Sequence, residues 1–439
     1  MKKILVLGSG AREHAICEAL KRSKQEVELF VVSKSKNPGI FKMTKEYLLV
    51  DPTDAKAVTE FAKKMGVDFA VVGPEAPIAK GIVDALMEVE IKSASPLKIS
   101  GQLESSKSFT RDLVEKYKIP GNPLFKTFFS EEGLSNFFDQ LGEDFVVKAD
   151  GLKGGKGVKV SGDHLNGKQE GLAYAIECLK ESGRVVVEEK LIGQEFSLMS
   201  FCDGLHTLDM PPVQDHKRAY DGDKGPNTGG MGSYSCEDHL LPFLTANDVQ
   251  DASEITKKVA EALFKETGVY FKGIMYGGFM VTKNGVKLIE YNARFGDPEA
   301  MNVLPIMETD FADVCEATIN GTLDKIQLKF SKKATVCKYL VPNGYPDAPV
   351  AGEKVTVGEI PPGVKVYYAS VDVREDGLYL SGSRAIAFVG IAETLELAEQ
   401  LAQNAIGTVQ GPVFYRKDIG TKELIQTRVD MMRTLRVSV

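Results

Sequence analysis

The sequence offers no pair of cysteines spaced to hold a metal or to staple a small fold. Its six cysteines, Cys17, Cys178, Cys202, Cys236, Cys315 and Cys337, are scattered, and so are its five histidines. That argues against a zinc site or a disulfide framework and for buried thiols in a reducing compartment. Long hydrophobic runs are lacking too. No stretch approaches the ~20 apolar residues that span a membrane. The opening Met1-Lys2-Lys3 meets a glycine turn at Gly8, too soon for a signal peptide. A cytoplasmic protein with no membrane partner is expected. An excess of positive charge is missing as well: the net charge is −7, which argues against a nucleic-acid partner. A local anion site stays open, because a few lysines and backbone N–H groups outweigh a global charge. Internal repeats and low-complexity segments are absent.

With 439 residues the chain exceeds one core, and roughly two to four domains are expected. The first hundred residues alternate strand and helix. "KILVLG" and "VELFVVS" read as buried strands, with a helix between them carrying Ala15, Ile16, Ala19 and Leu20 at helical spacing. A helix over 54–65, the strand "DFAVVG" and the helix "IAKGIVDALMEV" follow. This alternation predicts a parallel α/β sheet with ligands at its carboxyl ends, where "GSGAREH" and "GPEAP" fall. From Ser100 to about Phe138 the pattern is helical. "DFVVKADGLKGGKGVKV" then reads as strand, glycine loop, strand. "RVVVEEKLIGQEFSLMSF" reads as two strands with a short connection, a helix follows over 248–267, and "GIMYGGFMV" with "VKLIEYNARF" reads as a hairpin pair. The residues after Ser331 form a small strand-rich α+β domain with one helix near 392–406.

Four stretches carry chemistry. "ADGLKGGKG" fails as a Walker loop, because Lys156 is followed by Gly157 and a strand instead of Ser or Thr and a helix. It reads as a glycine-rich hairpin whose N–H groups approach phosphates, with Lys148 reaching an inner phosphate. An ordinary flexible hairpin is the alternative. "LIEYNARFGDPE" puts Glu290 and Asn292 on one strand face, two hard oxygen ligands suited to Mg²⁺ beside nucleotide phosphates. Arg294 follows on that face and is able to clamp a carboxylate or phosphate. Asp297 also reads as a helix N-cap, with Pro298 at the first helical position. "GSGAREH" resembles half a dinucleotide fingerprint, but Glu13 stands at the third glycine position and Ser33-Lys34 where an acid would bind ribose, which discounts NAD. An anion site at that turn, with Arg12 adding charge and His14 packing near the helix start, remains. "VVVEEKLIGQE" offers backbone groups from Glu188 to Leu191 to an adenine edge and Glu195 to ribose hydroxyls, or else is a plain hairpin. Finally, "DHKRAYDGDKGPNTGGMG" (Asp215–Gly232) is too polar and glycine-rich for a core helix or buried strand.

These stretches, in this order, resemble the phosphoribosylamine–glycine ligase family of the ATP-grasp superfamily. The resemblance runs from residue 1 to about 430, where "YRKDIG" also fits, and is most specific in "QDHKR…DGDKGPNTGGMG" and "NARFGDPE". It implies an N-terminal α/β domain over 1–100, an ATP-grasp domain over 101–330 with a mobile subdomain at about 120–192, and a C-terminal domain over 331–439. It implies that Lys107 and Lys148 contact ATP phosphates, that the loop with Gly154, Gly155 and Gly157 covers them, and that Glu188, Leu191 and Glu195 hold adenosine. Glu290 and Asn292 would hold Mg²⁺ or Mn²⁺. Gly10, Arg12, Glu13, Asn37, Glu75, Lys217, Gly230 and Asp297 would bind substrate, with Arg294 and Asp215 catalytic. Asp215–Gly232 would be a substrate-facing loop whose glycines let it close. Departures from the family pattern are Lys153-Gly154 for two alanines, Ala11 for glycine, Gln194 where an acid is frequent, and "MYGGFM", which supplies no third metal ligand.

The implied reaction is the ATP-dependent joining of glycine to 5-phosphoribosylamine through glycyl phosphate, by a monomer acting on small molecules in purine biosynthesis. Two alternatives stand beside it: another ATP-grasp carboxylate–amine ligase or carboxylase acting on a purine intermediate, and a nucleotide-binding sensor without catalysis. A nicotinamide oxidoreductase is the most distant.

Overall fold

The computed structural model describes residues 1–154 and 157–437. The central N-terminal strands, Val27–Ser33, Lys2–Leu7 and Phe69–Val72, are apolar runs buried on both faces, as a sheet covered by helices demands, and the N-terminal sheet has five strands. The five lie parallel in the order Thr44–Leu49, Val27–Ser33, Lys2–Leu7, Phe69–Val72, Lys92–Ser93. The order reverses between Lys2–Leu7 and Phe69–Val72, so a crevice opens beyond their carboxyl ends. Gly8 and Gly73 begin the turns at that crevice, and Gly73 N–H donates to Leu7 O at 3.0 Å. The helix expected over 54–65 is Ala55–Met65, N-capped by Asp54. "IAKGIVDALMEV" is two helices, Glu75–Lys80 and Ile82–Glu88, broken where Gly81 adopts φ 81°.

The stretch read as helical from Ser100 to Phe138 holds the helices Gln102–Ser105, Lys107–Lys116 and Leu134–Leu141, but also a strand, Phe125–Phe128. Four residues give too short a period to read, and the strand exists through its pairing with Val185–Glu189. Together with Phe145–Ala149 and Val158–Val160 they make a four-stranded sheet. Its apolar face, with Phe145, Val147, Val185 and Val187, forms a core of its own with Phe138 and its neighbours on the helices Leu134–Leu141 and Lys168–Ser182. Each fully buried valine or phenylalanine there contributes ~1.5–3 kcal/mol. The glycine loop is the hairpin between Phe145–Ala149 and Val158–Val160, as expected.

"RVVVEEKLIGQEFSLMSF" does contain two strands, Val185–Glu189 and Gly193–Cys202. They are not a hairpin. The first belongs to the sheet just described, the second to another four-stranded sheet with Thr207–Asp209, Gly273–Thr282 and Gly285–Asn292. Residues 190–192 are therefore the passage between two sheets. Gly193 fits only as glycine, since a Cβ there would stand 1.9 Å from Val281 O. The helix Ala246–Thr267 covers this second sheet.

The C-terminal strands Ala334–Pro342, Ile386–Ala392 and Val364–Tyr368 continue into Gly232–Ser235 and Gln214–Asp215, so one sheet runs from the polar glycine-rich stretch into the last hundred residues. That stretch is more ordered than a loop: Arg218–Tyr220 and Lys224–Asn227 pair as a short antiparallel ribbon. Beyond the expected helix, here Leu395–Ile406, the chain ends in a second helix, Lys422–Val437, which the sequence pattern does not announce. Its polar faces hide the period, and it is anchored by Ile425 and Met432. One large core links residues such as Val6, Phe201, Phe279, Val336 and Tyr339 from all these sheets except that of Phe145. No helix among the described residues is long and apolar enough to cross a membrane.

Candidate active site

Strand Gly285–Asn292 pairs with Gly273–Thr282 so that Glu290 faces Gly278 and Asn292 faces Tyr276. The two side chains share a face, as a spacing of two requires. The Glu290 carboxyl is held below its usual range: burial alone would raise it, but Lys217, then Lys148, Lys107 and Arg294, outweigh burial. Four cations from separate stretches thus converge on one carboxylate. Lys217 Nζ lies 3.9 Å from Glu290 Oε1 and 3.6 Å from Glu195 Oε2, and these acids, Glu195 foremost, push its ammonium up. An ionised carboxylate beside the Asn292 amide oxygen is a donor set that fits magnesium or manganese. Among the described residues no group of three or more His, Cys, Asp or Glu converges on one point. Further ligands of such a cation would come from substrate oxygens and water.

Lys148 ends the strand Phe145–Ala149 almost fully buried, paired with Glu188 Oε1 at 2.5 Å and donating to Ile289 O at 2.9 Å. Burial pulls its ammonium below the usual lysine range, and Glu188 restores only part. Glu188 is also gripped by the fork of Arg111, at 2.8 and 3.1 Å, so its carboxylate is committed to two cations and held ionised against burial. Arg111 was not singled out from the sequence, although it lies four residues after Lys107 on one helix face. Lys107 Nζ donates to Gly151 O at 2.8 Å, at the root of the glycine loop. Asp150, also missed, accepts from Lys107 N at 2.6 Å and Ser108 N at 3.1 Å, closing the helix N-terminus. Gly154 has φ 57°, and Gly157 O accepts from Ala149 N at 2.8 Å; Gly155 lies outside the described residues. Lys153, the departure from the family pattern, pairs with Glu181 at 2.7 Å on the surface. Leu191 sits half-buried in the passage between the two sheets.

Arg294 stands between this end and the crevice of the N-terminal sheet. Its Nη2 reaches Glu104 Oε1 at 2.7 Å and Asn292 Oδ1 at 3.3 Å. Its buried Nε lies 3.5 Å from Glu75 Oε2 without a hydrogen bond. Glu75 is lowered, because Arg294 and Arg12 overcome its burial. Arg12 pairs with Glu13 at 2.6 Å and donates to Phe295 O at 3.2 Å. Glu13 Oε2 accepts from Gly10 N at 2.6 Å, so the chain's own carboxylate caps this helix start. Asn37 is fully committed: its Oδ1 accepts from Gly39 N and Ile40 N, and its Nδ2 donates to Ser9 O and Tyr368 O. His14 packs as expected, accepting from Tyr368 N at 3.0 Å.

Asp215 Oδ1 accepts from His216 N at 2.7 Å. Burial, then the neighbouring Glu299, raises the Asp215 carboxyl well above its usual range. Glu299 is itself buried and raised, and accepts from Tyr276 OH at 2.7 Å. Gly230 passes close by with φ 111°, and a Cβ there would come within 2.7 Å of Asp215 Oδ1 and of Pro298 Cδ. Asp297 is not a helix cap. The helix starts later, at Ala300, and Asp297 Oδ1 accepts from Tyr339 OH at 2.7 Å and pairs with Arg384 at 3.3 Å. Proline at 298 sets a turn here instead of a first helical turn. Arg384 Nη1 also donates to Gly229 O, Gly230 O and Asp297 O, tying these two loops together. Nothing local in the sequence marks Arg384, since its partners are remote along the chain.

Residues 2–104, 105–300 and 335–422 match, in turn, the N domain, the ATP-grasp (A) domain and the C domain of phosphoribosylglycinamide synthetase. A phosphoribosylamine–glycine ligase of Methanosarcina acetivorans is 48% identical over 434 residues, covering 99% of this chain and 98% of that one. One from Methanocaldococcus jannaschii is 50% identical over 445 residues, covering 99% and 100%. The crystal structure of a phosphoribosylamine–glycine ligase of Thermotoga maritima superimposes with a TM-score of 0.80 at 28% identity, over 95% of this chain and 100% of that one.

Proposed function

The chain belongs to the phosphoribosylglycinamide synthetase family, and we propose on that premise that it joins glycine to 5-phosphoribosylamine with ATP, giving glycinamide ribonucleotide, ADP and phosphate. The observation that carries this reading is the set of cations around the strand of Glu290: Lys217 Nζ lies 3.9 Å from Glu290 Oε1, Lys148 donates to Ile289 O at 2.9 Å and Arg294 to Asn292 Oδ1 at 3.3 Å. A carboxylate is a poor acyl donor until its oxygen is made a leaving group. Glycine's carboxylate attacks the γ-phosphate, and the acyl phosphate is then opened by the amine of phosphoribosylamine. Phosphoryl transfer needs positioning and charge neutralisation more than covalent help, which agrees with a site of lysines and arginine.

Lys107 and Lys148 neutralise phosphate oxygens from the side of the glycine loop. Glu290 and Asn292 would hold a divalent cation, magnesium or manganese, which would supply positive charge against the phosphate oxygens. Glu188 orients Lys148, its carboxylate being shared between Lys148 and Arg111. Glu195 and the backbone near Leu191 face the adenosine. Lys217 and Arg294 hold the glycine carboxylate in line. Asp215, raised by its surroundings, takes the proton the attacking amine must lose. Arg12, Glu75, Gly10, Glu13, Gly230 and Asp297 line the phosphoribosyl end, and Asn37 shapes its turn. The residues 101–330 act as the ATP-grasp unit, with 120–192 as its moving part and 1–100 and 331–439 on either side. The reading is of an enzyme acting on small molecules, and the acidic balance argues against nucleic-acid partners. ADP release should require both glycine and 5-phosphoribosylamine. Release that ignores glycine would refute the assignment.

A further inference from the structure

Between Gln214 and Gly232 the chain leaves the six-stranded sheet and returns to it. His216 N donates to Gly232 O at 3.0 Å and Met231 N to His216 O at 2.8 Å, so the two ends are tied. Along this extended stretch alternate side chains point to opposite sides. Lys217 reaches toward Glu290, and its carbonyl accepts from Thr228 N at 2.7 Å and Thr228 Oγ1 at 2.8 Å. His216 is buried against Tyr234.

The far end of this excursion is held by the last part of the chain. Asp418 Oδ2 accepts from Gly222 N at 2.8 Å, and Asp221 Oδ1 accepts from Lys417 N at 2.9 Å. Arg416, fully buried, donates to Asp223 Oδ1 at 2.9 Å and to Arg218 O at 3.2 Å, while its fork grips Asp418 at 2.9 and 2.7 Å. Arg428, from the last helix, also pairs with Asp223. Asp223 itself sits at φ 55°, a left-handed conformation that its neighbours must stabilise. A buried ion-pair joint adds little net stability compared with apolar packing, and is suited to fixing one geometry.

We propose that Arg416, acting with Asp223, is a positioning residue of the active site. It touches no substrate. It fixes the ribbon Arg218–Asn227 to the C-terminal sheet, and so sets where Lys217 and Asp215 stand relative to Glu290. The proposal rests on the reading of Lys217 and Asp215 as substrate-facing groups. It also makes the glycine-rich excursion a held arm, in place of a freely closing loop.

The test compares the unsubstituted protein with Asp223→Asn and Arg416→Lys, measuring steady-state kinetics in glycine and ATP, calorimetric affinity for a non-hydrolysable ATP analogue, and thermal midpoint. In both variants kcat/KM for glycine should fall by roughly 10- to 100-fold while affinity for the analogue stays within about twofold. Asp223→Asn is isosteric and its residue only partly buried, so it decides the matter if Arg416→Lys does not fold. Unchanged kinetics in a folded Asp223→Asn would overturn the role. So would a parallel loss of nucleotide affinity, which would mark a general structural defect. An unsubstituted protein that releases ADP without regard to glycine would overturn the functional reading, and this role with it.

Discussion

Glu290 and Lys148 keep opposite charges in places that disfavour both. Burial works against each, and the charge survives because a partner stands within reach: cations around Glu290, Glu188 against Lys148. Glu290→Gln keeps the shape and removes the charge. Turnover should drop by about 100-fold or more, with the far-ultraviolet circular dichroism and thermal midpoint little changed; near-normal kcat would sink the metal-holding role. At this scale the sequence was legible where spacing alone sets direction, as in Glu290 and Asn292. It was illegible where a residue's meaning comes from a distant partner. Arg384 reaches Gly229 and Asp297, and Arg416 reaches Asp223, across intervals no local pattern spans. Asn37 and Glu13 also hydrogen-bond the chain itself, which their motifs do not announce.

The division of "VVVEEKLIGQEFS" between two sheets is the feature of the elements that most concerns catalysis. A hairpin would have kept Glu188 and Glu195 on one rigid ribbon. Instead Glu188 belongs to the sheet of the glycine loop, and Glu195 to the sheet that also carries Glu290. Gly193 begins the strand of Glu195, and a Cβ there would collide with the Val281 carbonyl across the ladder. Gly193→Ala should cost roughly 2 kcal/mol, seen as a lower urea midpoint; an unchanged midpoint would show that the strand pairing tolerates the methyl. Strand propensity was readable in this stretch, since the runs are rich in valine and phenylalanine. Partner choice was not, because two strands joined by three residues resemble a hairpin whichever sheets they enter. The same limit hid Phe125–Phe128, which is a strand by virtue of its neighbour.

Across the whole molecule the N-terminal and C-terminal parts are joined at a histidine. His14, on the helix Ala11–Lys21, accepts from Tyr368 N and lies between Tyr367 and Tyr368. Burial lowers it to about 4, so the folded protein holds it neutral. The unfolded chain binds its proton near pH 6.5, and stability must therefore fall as pH drops from there toward 4, by roughly 3 kcal/mol from this residue. His14→Asn keeps an acceptor for Tyr368 N without titrating, and urea unfolding between pH 7 and 4 should be flatter in that variant by about one proton. An identical slope would show that His14 is not the group. The chemistry, too, belongs to the whole, since the site draws on the N-terminal sheet, both four-stranded sheets and the six-stranded sheet. Glycine labelled with ¹⁸O in its carboxylate tests it most directly. If glycyl phosphate forms, one labelled oxygen leaves as inorganic phosphate and the other stays in the amide. Product amide accompanied by unlabelled phosphate would contradict the acyl-phosphate route, and with it the roles of Lys217, Arg294 and Glu290.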